Sequence, residues 1–580
     1  MRTALALALL TLAALGLHLV GIGHSVPHSK EADANMALHL ELIRAGSTEP
    51  DPQHNDAQYP ILIPGLLSLL PDTTPHPGPD APLEQHLDAA AHAYVELRIA
   101  MAVLSALSIP LVFLLARRFL GTGGSLLAAA LFAASFLTQF FAQQARPHTG
   151  ASTVFLLSVL TSMRYAREPG WKNALLACLA VALGIGTLQS GLALLLPLAA
   201  AWVLASLRDV QASARRHAWH LWSLPLVLAG IAALSIATFY PYLWFEGQES
   251  SYGSPRIEGT TIFWGDHRVD LHDWKGLGFA NLARTLWFYE PGLLLGLVCA
   301  ALMLVLRKRD AHRPWERWSD FQVAAAYALP YLLVAGLFRN TFERFLIPLL
   351  PYIAVCAAWG FATAFERAGR AARALVVVAA AAALAIPAAA SARLAALRAS
   401  DDTLERAAHW LAAQPDALAT PIYVTPSFDL PLARSAESLR PADGRPAAIL
   451  SRWSIWQRRL GAENFPAPHF DLRYLVPRPD LGFGAPAMER DPAGYVSALG
   501  PGYFVLDMSL QPARPVLDRM RDEVRARGEV VFRSAPEDSG PDAAWGFPFE
   551  DELLPGWPNV IARVPRLQAV GQVVEIYRLR

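Results

Sequence analysis

The apolar residues of this chain fall in separate blocks of about 17 to 22 residues, the length that carries a helix across roughly 30 Å of hydrocarbon at about 1.5 Å per residue. A soluble core has no reason to be cut to that length. The first block follows Arg2, and others lie at 97–115, 125–141, 151–163, 174–189, 192–207, 222–240, 286–306, 321–338, 345–365 and 374–390. They make about eleven candidate spans. Only 17% of the residues are charged and 54% are hydrophobic, against roughly a quarter charged in an ordinary soluble domain. The first block outruns a signal-peptide core of about 7 to 15 residues, which favours a signal anchor, although Ala13-Ala14-Leu15-Gly16 is compatible with cleavage.

The formal net charge is zero, so there is no basic field that would recruit nucleic acid. Position matters more than sum. Every second connection is basic (117–118, 164–172, 208–216, 307–317 and 367–373), and the positive-inside rule puts these on the cytoplasmic side together with the N-terminus. The first loop, the turns at 143–149 and 339–344, the loop 241–284 and the tail from 398 then face the opposite compartment. The tail is a different kind of sequence. Asp401-Asp402-Thr403-Leu404-Glu405 starts a helix that buries Leu404, Ala407, Ala408 and Leu411. Short β-rich runs follow at 421–425, 503–506, 529–532, 559–564 and 573–577, with a polar helix at 513–528. The expected fold class is a polytopic α-helical membrane protein of about eleven transmembrane helices with a C-terminal soluble α/β domain, divided into 1–397 (first extracytoplasmic loop 24–96) and 398–580. Cys178, Cys299 and Cys356 all lie in apolar blocks, which argues against a disulfide framework. The alanine, leucine and arginine bias and the lack of extracytoplasmic cysteines point to a bacterial inner (plasma) membrane.

Polar residues gather in the compartment-facing loops. After the first block comes Pro27-His28-Ser29-Lys30-Glu31-Ala32-Asp33, then an amphipathic helical stretch through Leu38, Leu42 and Ile43 that ends at Gly46. Glu31 and Asp33 can share a divalent cation or divide acid and base roles; equally, acids in a first helical turn meet the macrodipole, and Ser29 and Asp33 can cap. Asp56-Ala57-Gln58-Tyr59-Pro60-Ile61-Leu62-Ile63-Pro64-Gly65 is too short to span and reads as an interfacial or re-entrant segment. Arg146-Pro147-His148 and Glu343-Arg344 lie in turns that would converge on it, where arginine suits an anionic phosphate or snorkels to the interface. His267, Asp270, His272 and Asp273 match no zinc spacing and read as a solvated loop. The aromatics at 239–245 read as an interfacial belt or a sugar-stacking platform.

These parts, in this order, resemble the GT-C superfamily of polytopic glycosyltransferases, in particular bacterial relatives of the protein mannosyltransferase and aminoarabinose transferase families (glycosyltransferase family 39-type). The motifs are Glu31-Ala32-Asp33 followed by helix and Gly46; Tyr59-Pro60-Ile61-Leu62-Ile63-Pro64; Ala116-Arg117-Arg118-Phe119-Leu120; Gln144-Ala145-Arg146-Pro147-His148; and Glu343-Arg344-Phe345-Leu346-Ile347-Pro348. The resemblance covers about the first 400 residues, more in organisation than in identity. It implies transfer of a sugar from a polyprenyl-phosphate donor to a lipid, glycan or protein acceptor, by inverting attack with a loop carboxylate as base. Glu31 or Asp33 would be that base, with the other its partner or a metal ligand. His28, Asp56, Tyr59, Arg146, His148, Glu343 and Arg344 would bind substrate, and Arg344 or Arg146 would stabilise the leaving phosphate. Where many relatives carry adjacent Asp-Glu, this chain has Glu-Ala-Asp, and His148 stands where relatives often carry an acid.

The competing readings are a transporter and a non-catalytic scaffold of the same fold. Transporters place ionisable or broken elements mid-span, whereas here the ionisable residues lie at span ends and Gln139 and Gln189 make no pathway. There is no Walker loop or dinucleotide fingerprint.

Overall fold

The computed structural model describes residues 1–28, 35–46, 59–211, 230, 232–238, 256–264, 267–306, 315–339, 341–424, 429–439, 451–465, 467–475, 491–507, 514–537 and 560–580. Glu31, Asp33 and Asp56, most of the 222–240 block and the 239–245 aromatics lie outside the described residues.

The N-terminal part is a helical bundle. Its elements are α1 (Arg2–Leu19), α2 (Asn35–Arg44), α3 (Leu62–Ser68), α4 (Leu83–Ala116), α5 (Thr122–Ala133), α6 (Phe136–Ala142), α7 (Pro147–Arg167), α8 (Trp171–Thr187), α9 (Leu195–Gln211), α10 (Leu277–Tyr289), α11 (Pro291–Val305), α12 (Trp315–Leu337), α13 (Leu350–Arg367) and α14 (Arg370–Arg398). Leu5, Leu9 and Leu12 of α1 and Leu375, Val377 and Val378 of α14 stand exposed. Apolar surface of that extent belongs against lipid, and the chain is a multi-pass membrane protein. Among the described residues six helices are long and apolar enough to cross a membrane, or up to eight if each of two bent pairs is one span. That is fewer than the expected eleven, in part because α8 is only 17 residues long and the 222–240 block is mostly outside the described residues.

Two expected single spans are broken. The 125–141 block splits into α5 and α6 with a 50° bend, and the 286–306 block splits into α10 and α11 with a 115° bend. Each break frees backbone groups that hydrocarbon cannot satisfy. The two breaks answer each other: Glu290, between α10 and α11, accepts from Ser135 Oγ at 2.6 Å and from Leu137 N at 2.7 Å, capping the start of α6.

The ends of the bundle sort as the charge pattern implies. α7 ends where α12 begins, with Arg167 Nε 3.4 Å from Asp320 Oδ1, and Arg118 at the end of α4 feels both. The opposite end holds the start of α7 and the turn after α12. α11 and α13 cross through small residues: a Cβ on Gly360 would lie 2.5 Å from the Ala300 nitrogen and the Gly296 oxygen, and one on Gly296 would lie 2.4 Å from the Ala357 Cβ. Such close backbone approach supplies the packing that helices in lipid lack otherwise.

The 241–284 loop contains a three-stranded antiparallel sheet, β1 (Arg256–Glu258), β2 (Thr261–Trp264) and β3 (His267–Asp270), in the order β1-β2-β3. In the C-terminal part, β4 (Ile422–Val424), β5 (Leu472–Tyr474), β6 (Gly502–Asp507), β7 (Gly528–Ser534) and β8 (Val574–Leu579) form a sheet of order β5-β4-β6-β8-β7. β4 is parallel to β5 and β6, while β8 is antiparallel to β6 and β7. Alternation along the strands builds two faces. Ile422, Val424, Tyr503, Val505, Val574 and Ile576 pack with Leu404, Ala407, Ala408 and Leu411 of α15 (Thr403–Ala412). Tyr423, Phe504, Leu506, Tyr577 and Leu579 pack with Met520 and Val524 of the Arg514–Arg527 helix. Four of the five expected strand runs lie in this sheet. The fifth, 559–564, is instead a helical turn, Val560–Arg563, continued as a 3-10 turn. Val560, Ile561 and Val564 recur at helical spacing and join the bundle's core near Leu394 and Leu397.

Gly360→Leu forces two backbones apart and is expected to destabilise the bundle by about 1–3 kcal/mol. The thermal midpoint of purified protein checks this; an unchanged midpoint would show that α11 and α13 do not depend on that approach.

Candidate functional site

At the end of the bundle where α7 begins, five expected site residues come together. Arg146 is the N-cap residue of α7, Pro147 takes the first helical position, where its missing N–H costs nothing, and His148 follows. Arg146 and His148 are buried. From the other side, Glu343 opens a 3-10 turn, Glu343–Leu349, that leads into α13. The guanidinium groups of Arg344 and Arg146 act on both the His148 ring and the Glu343 carboxyl. Arg344 lies over the Phe342 and Phe345 rings, at 4.6 and 5.4 Å from their centroids, which orients its plane. The Tyr59 ring meets His148 edge-on at 5.9 Å, so the Tyr-Pro segment of the first loop reaches this group. Tyr289, which carries no distinguishing pattern in the sequence, donates its hydroxyl to Glu343 at 3.4 Å. The result is a buried cluster of two guanidiniums, an imidazole, a carboxyl and two phenols.

The loop after α1, which leads towards Glu31 and Asp33, is held from several elements. Gln143 donates to Val20 O, and Arg98 donates to Ile22 O and His24 O at 2.8 Å each. Arg398 donates to Gln143 Oε1 at 2.8 Å and to Phe140 O at 3.0 Å. Gly21, at φ +72, lies on the Arg398 backbone, where a Cβ would come within 2.5 Å of its carbonyl carbon. Burial, then Arg398 and Arg98, hold the His24 pKa well below the ordinary histidine value, so its ring is neutral between the two cations. The C-terminal part fastens the same loop: Trp453 N donates to Pro27 O at 3.1 Å, Asp429 N to His28 O at 3.2 Å, and Arg452 pairs with Glu41. Arg98 heads the 97–115 block, and a charge just inside an apolar run is the signal that marks it. In α2 the buried apolar residues are Met36, Ala37 and Leu40, while the expected Leu38, Leu42 and Ile43 are half-buried. A short helix with apolar residues on two rows leaves the choice to its neighbours.

His28 is joined to the tail rather than to the arginine cluster. Its Nε2 lies 2.9 Å from Asp402 Oδ2, with both side chains buried. Asp402 is also the N-cap of α15, in a capping box with Glu405. Burial alone would lower the His28 pKa, but Asp402, Glu405 and Asp429 raise it above the ordinary value. His28, Asp402 and Glu405 form a group whose ligand atoms all lie within 4.8 Å of one another, so a cation is chemically possible there. Asp270, by contrast, accepts from His272 N at 2.9 Å and Thr260 Oγ1 at 3.1 Å and serves as a turn cap.

No family model and no curated protein matches the chain. Among solved structures it is similar to ArnT from Cupriavidus metallidurans bound to undecaprenyl phosphate, at TM-score 0.43 and 13% identity over 98% of this chain and 97% of that one. It is similar to the Archaeoglobus fulgidus oligosaccharyltransferase tethered with an acceptor peptide, at TM-score 0.44 and 11% identity over 92% of this chain and 73% of that one. It is also similar to the S. cerevisiae protein O-mannosyltransferase Pmt1-Pmt2 complex bound to the sugar donor, at TM-score 0.31 and 17% identity over 44% and 36%.

Arg98→Met leaves the carbonyls of Ile22 and His24 without these donors, at about 1–3 kcal/mol for the buried His24 carbonyl and less for the half-buried Ile22 one. Hydrogen exchange across 20–28 is expected to speed up and the thermal midpoint to fall; exchange indistinguishable from wild type would mean that Arg98 does not hold the loop.

Proposed function

We propose that this chain is a membrane glycosyltransferase that moves a sugar from a polyprenyl-phosphate donor to an extracytoplasmic lipid, glycan or protein acceptor, with inversion. The observation that carries the proposal is the convergence of Arg146, Arg344, His148, Glu343 and Tyr59, from three separate segments, at one end of a lipid-facing bundle. Two guanidiniums beside an apolar surface suit a ligand with a phosphate head and a hydrocarbon tail. In the proposed reaction the acceptor hydroxyl gives its proton to Glu31 or Asp33, its oxygen bonds to the anomeric carbon, and the bond from that carbon to the phosphate oxygen breaks. The electron pair leaves on the phosphate, where Arg344 and Arg146 stabilise the charge. A divalent cation at Glu31 and Asp33 belongs to the same proposal, as do Asp56 at the first-loop segment and an inner-membrane location with the C-terminal part extracytoplasmic. Division near 398 is supported by the end of α14 there and by the capping box that opens α15.

The test is sugar transfer from polyprenyl-phosphate donors by lipid-reconstituted protein. Glu31→Gln or Asp33→Asn is expected to abolish turnover in whichever variant removes the base, with donor binding kept; adding chelator reports on the cation. Arg344→Gln is expected to lower kcat/KM by about 100-fold, the order of one lost transition-state donor. Arg344→Lys keeps the charge but loses the fork and the ring contacts, so it should recover only part of the rate. Full activity in Arg344→Lys would reduce that arginine to an interfacial anchor, and unchanged transfer in both carboxylate variants would refute the base assignment.

A further inference from the structure

The group at His28 is separate from the arginine cluster and has a composition of its own. Asp402 and Glu405 come from one turn at the start of α15, and His28 comes from a loop 374 residues earlier. The two carboxyls are oriented by main chain: Asp402 Oδ1 accepts from Leu404 N and Glu405 N, and Glu405 Oε2 accepts from Asp402 N, each at 2.8 Å. That leaves Asp402 Oδ2, which faces His28 Nε2, and the second Glu405 oxygen as the available ligand atoms. In metal sites, a carboxylate whose other oxygen is held by a fixed donor is the usual second-shell arrangement.

Charge points the same way. Asp402, Glu405 and Asp429 all act on the one imidazole, and Asp402 and Asp429 are buried. Asp429 is already engaged by Ser451 Oγ, the Tyr474 hydroxyl and Leu430 N. An independent observation adds a fourth donor. Ser25 is 2% exposed, is held in the left-handed region at φ 59, and points its hydroxyl at the Asp402 carboxyl as a hydrogen-bond partner, at a geometry looser than a normal hydrogen bond.

We propose that His28, Asp402 and Glu405 hold a divalent cation of the zinc class, which fastens the loop after the first span to the first helix of the C-terminal part. One imidazole nitrogen and two carboxylate oxygens form a donor set that zinc accepts, and the fourth position falls to a water or the Ser25 hydroxyl. Binding displaces the proton on His28 Nε2, and the site's role is that of a tether between segments that the chain separates widely.

The test uses full-length purified protein, stripped with chelator and titrated with zinc chloride, with bound metal measured by elemental analysis and stability by thermal midpoint. Glu405→Gln is the informative variant, because glutamine still serves in a capping box while the ligand charge is lost; His28→Ala removes the nitrogen donor. Wild type is expected to retain zinc in proportion to chain and to gain thermal stability from it. Both variants should bind at least about tenfold more weakly, since even second-shell changes cost that much. Equal zinc uptake by wild type and Glu405→Gln, or a wild-type midpoint indifferent to zinc, would overturn the site and leave a buried ion pair with a capping box. Both readouts are independent of sugar transfer, so this result and that of the transfer assay are separable.

Discussion

Hydrocarbon offers an amide no hydrogen bond, and the two bent helix pairs among the described residues are arranged around that fact. Where α5 gives way to α6 and α10 to α11, the chain exposes backbone groups inside the membrane part. Glu290, at the sharper of the two bends, turns its side chain onto Ser135 and Leu137 at the other. The carboxyl at one bend thus satisfies the donors that the other leaves free. The same logic governs the loop after α1, whose carbonyls are met by Arg98 and Gln143 from neighbouring helices.

That loop is one of the places where the two parts of the molecule meet, beside the Val560–Arg563 turn that packs into the bundle's core. It is held by α4 and α6 on the bundle side and by Asp402, Asp429 and Trp453 on the tail side. The tail is therefore structurally continuous with the segment that leads to Glu31 and Asp33. The arginine cluster is supported differently, by the N-terminus of α7, the 3-10 turn before α13 and the edge of Tyr59.

Much of this was legible in the residues. The helix start at Asp401-Asp402-Thr403-Leu404-Glu405 and the inward residues Leu404, Ala407, Ala408 and Leu411 follow from local spacing, and the structure has them as expected. Four of the tail's strands announce themselves by β-branched and aromatic runs. The stretch 559–564 has the same composition but lies against α14, and there its apolar residues are used at helical spacing. β5, Leu472–Tyr474, has an arginine at its centre and no β-branched residue, so unlike the equally short β4 it does not read as a strand. In the site, Arg146, His148, Glu343, Arg344 and Tyr59 were identifiable from turns and motifs, while Tyr289 was not, because one tyrosine at the end of an apolar helix looks like any interfacial aromatic.

The sequence by itself determined what depends on composition and near neighbours: a lipid-facing helical bundle, the alternation of basic connections, the caps, and the residue types able to meet a phosphate. Only the tertiary structure decided what depends on groups far apart in the chain. It paired the two helix breaks through Glu290, chose which row of α2 is buried, and brought His28 to Asp402 across 374 residues. The physical reason is range. Propensity, periodicity and capping act within a few residues, whereas the partner of a buried polar group is set by whichever segment packing delivers to it, and no local pattern records that choice.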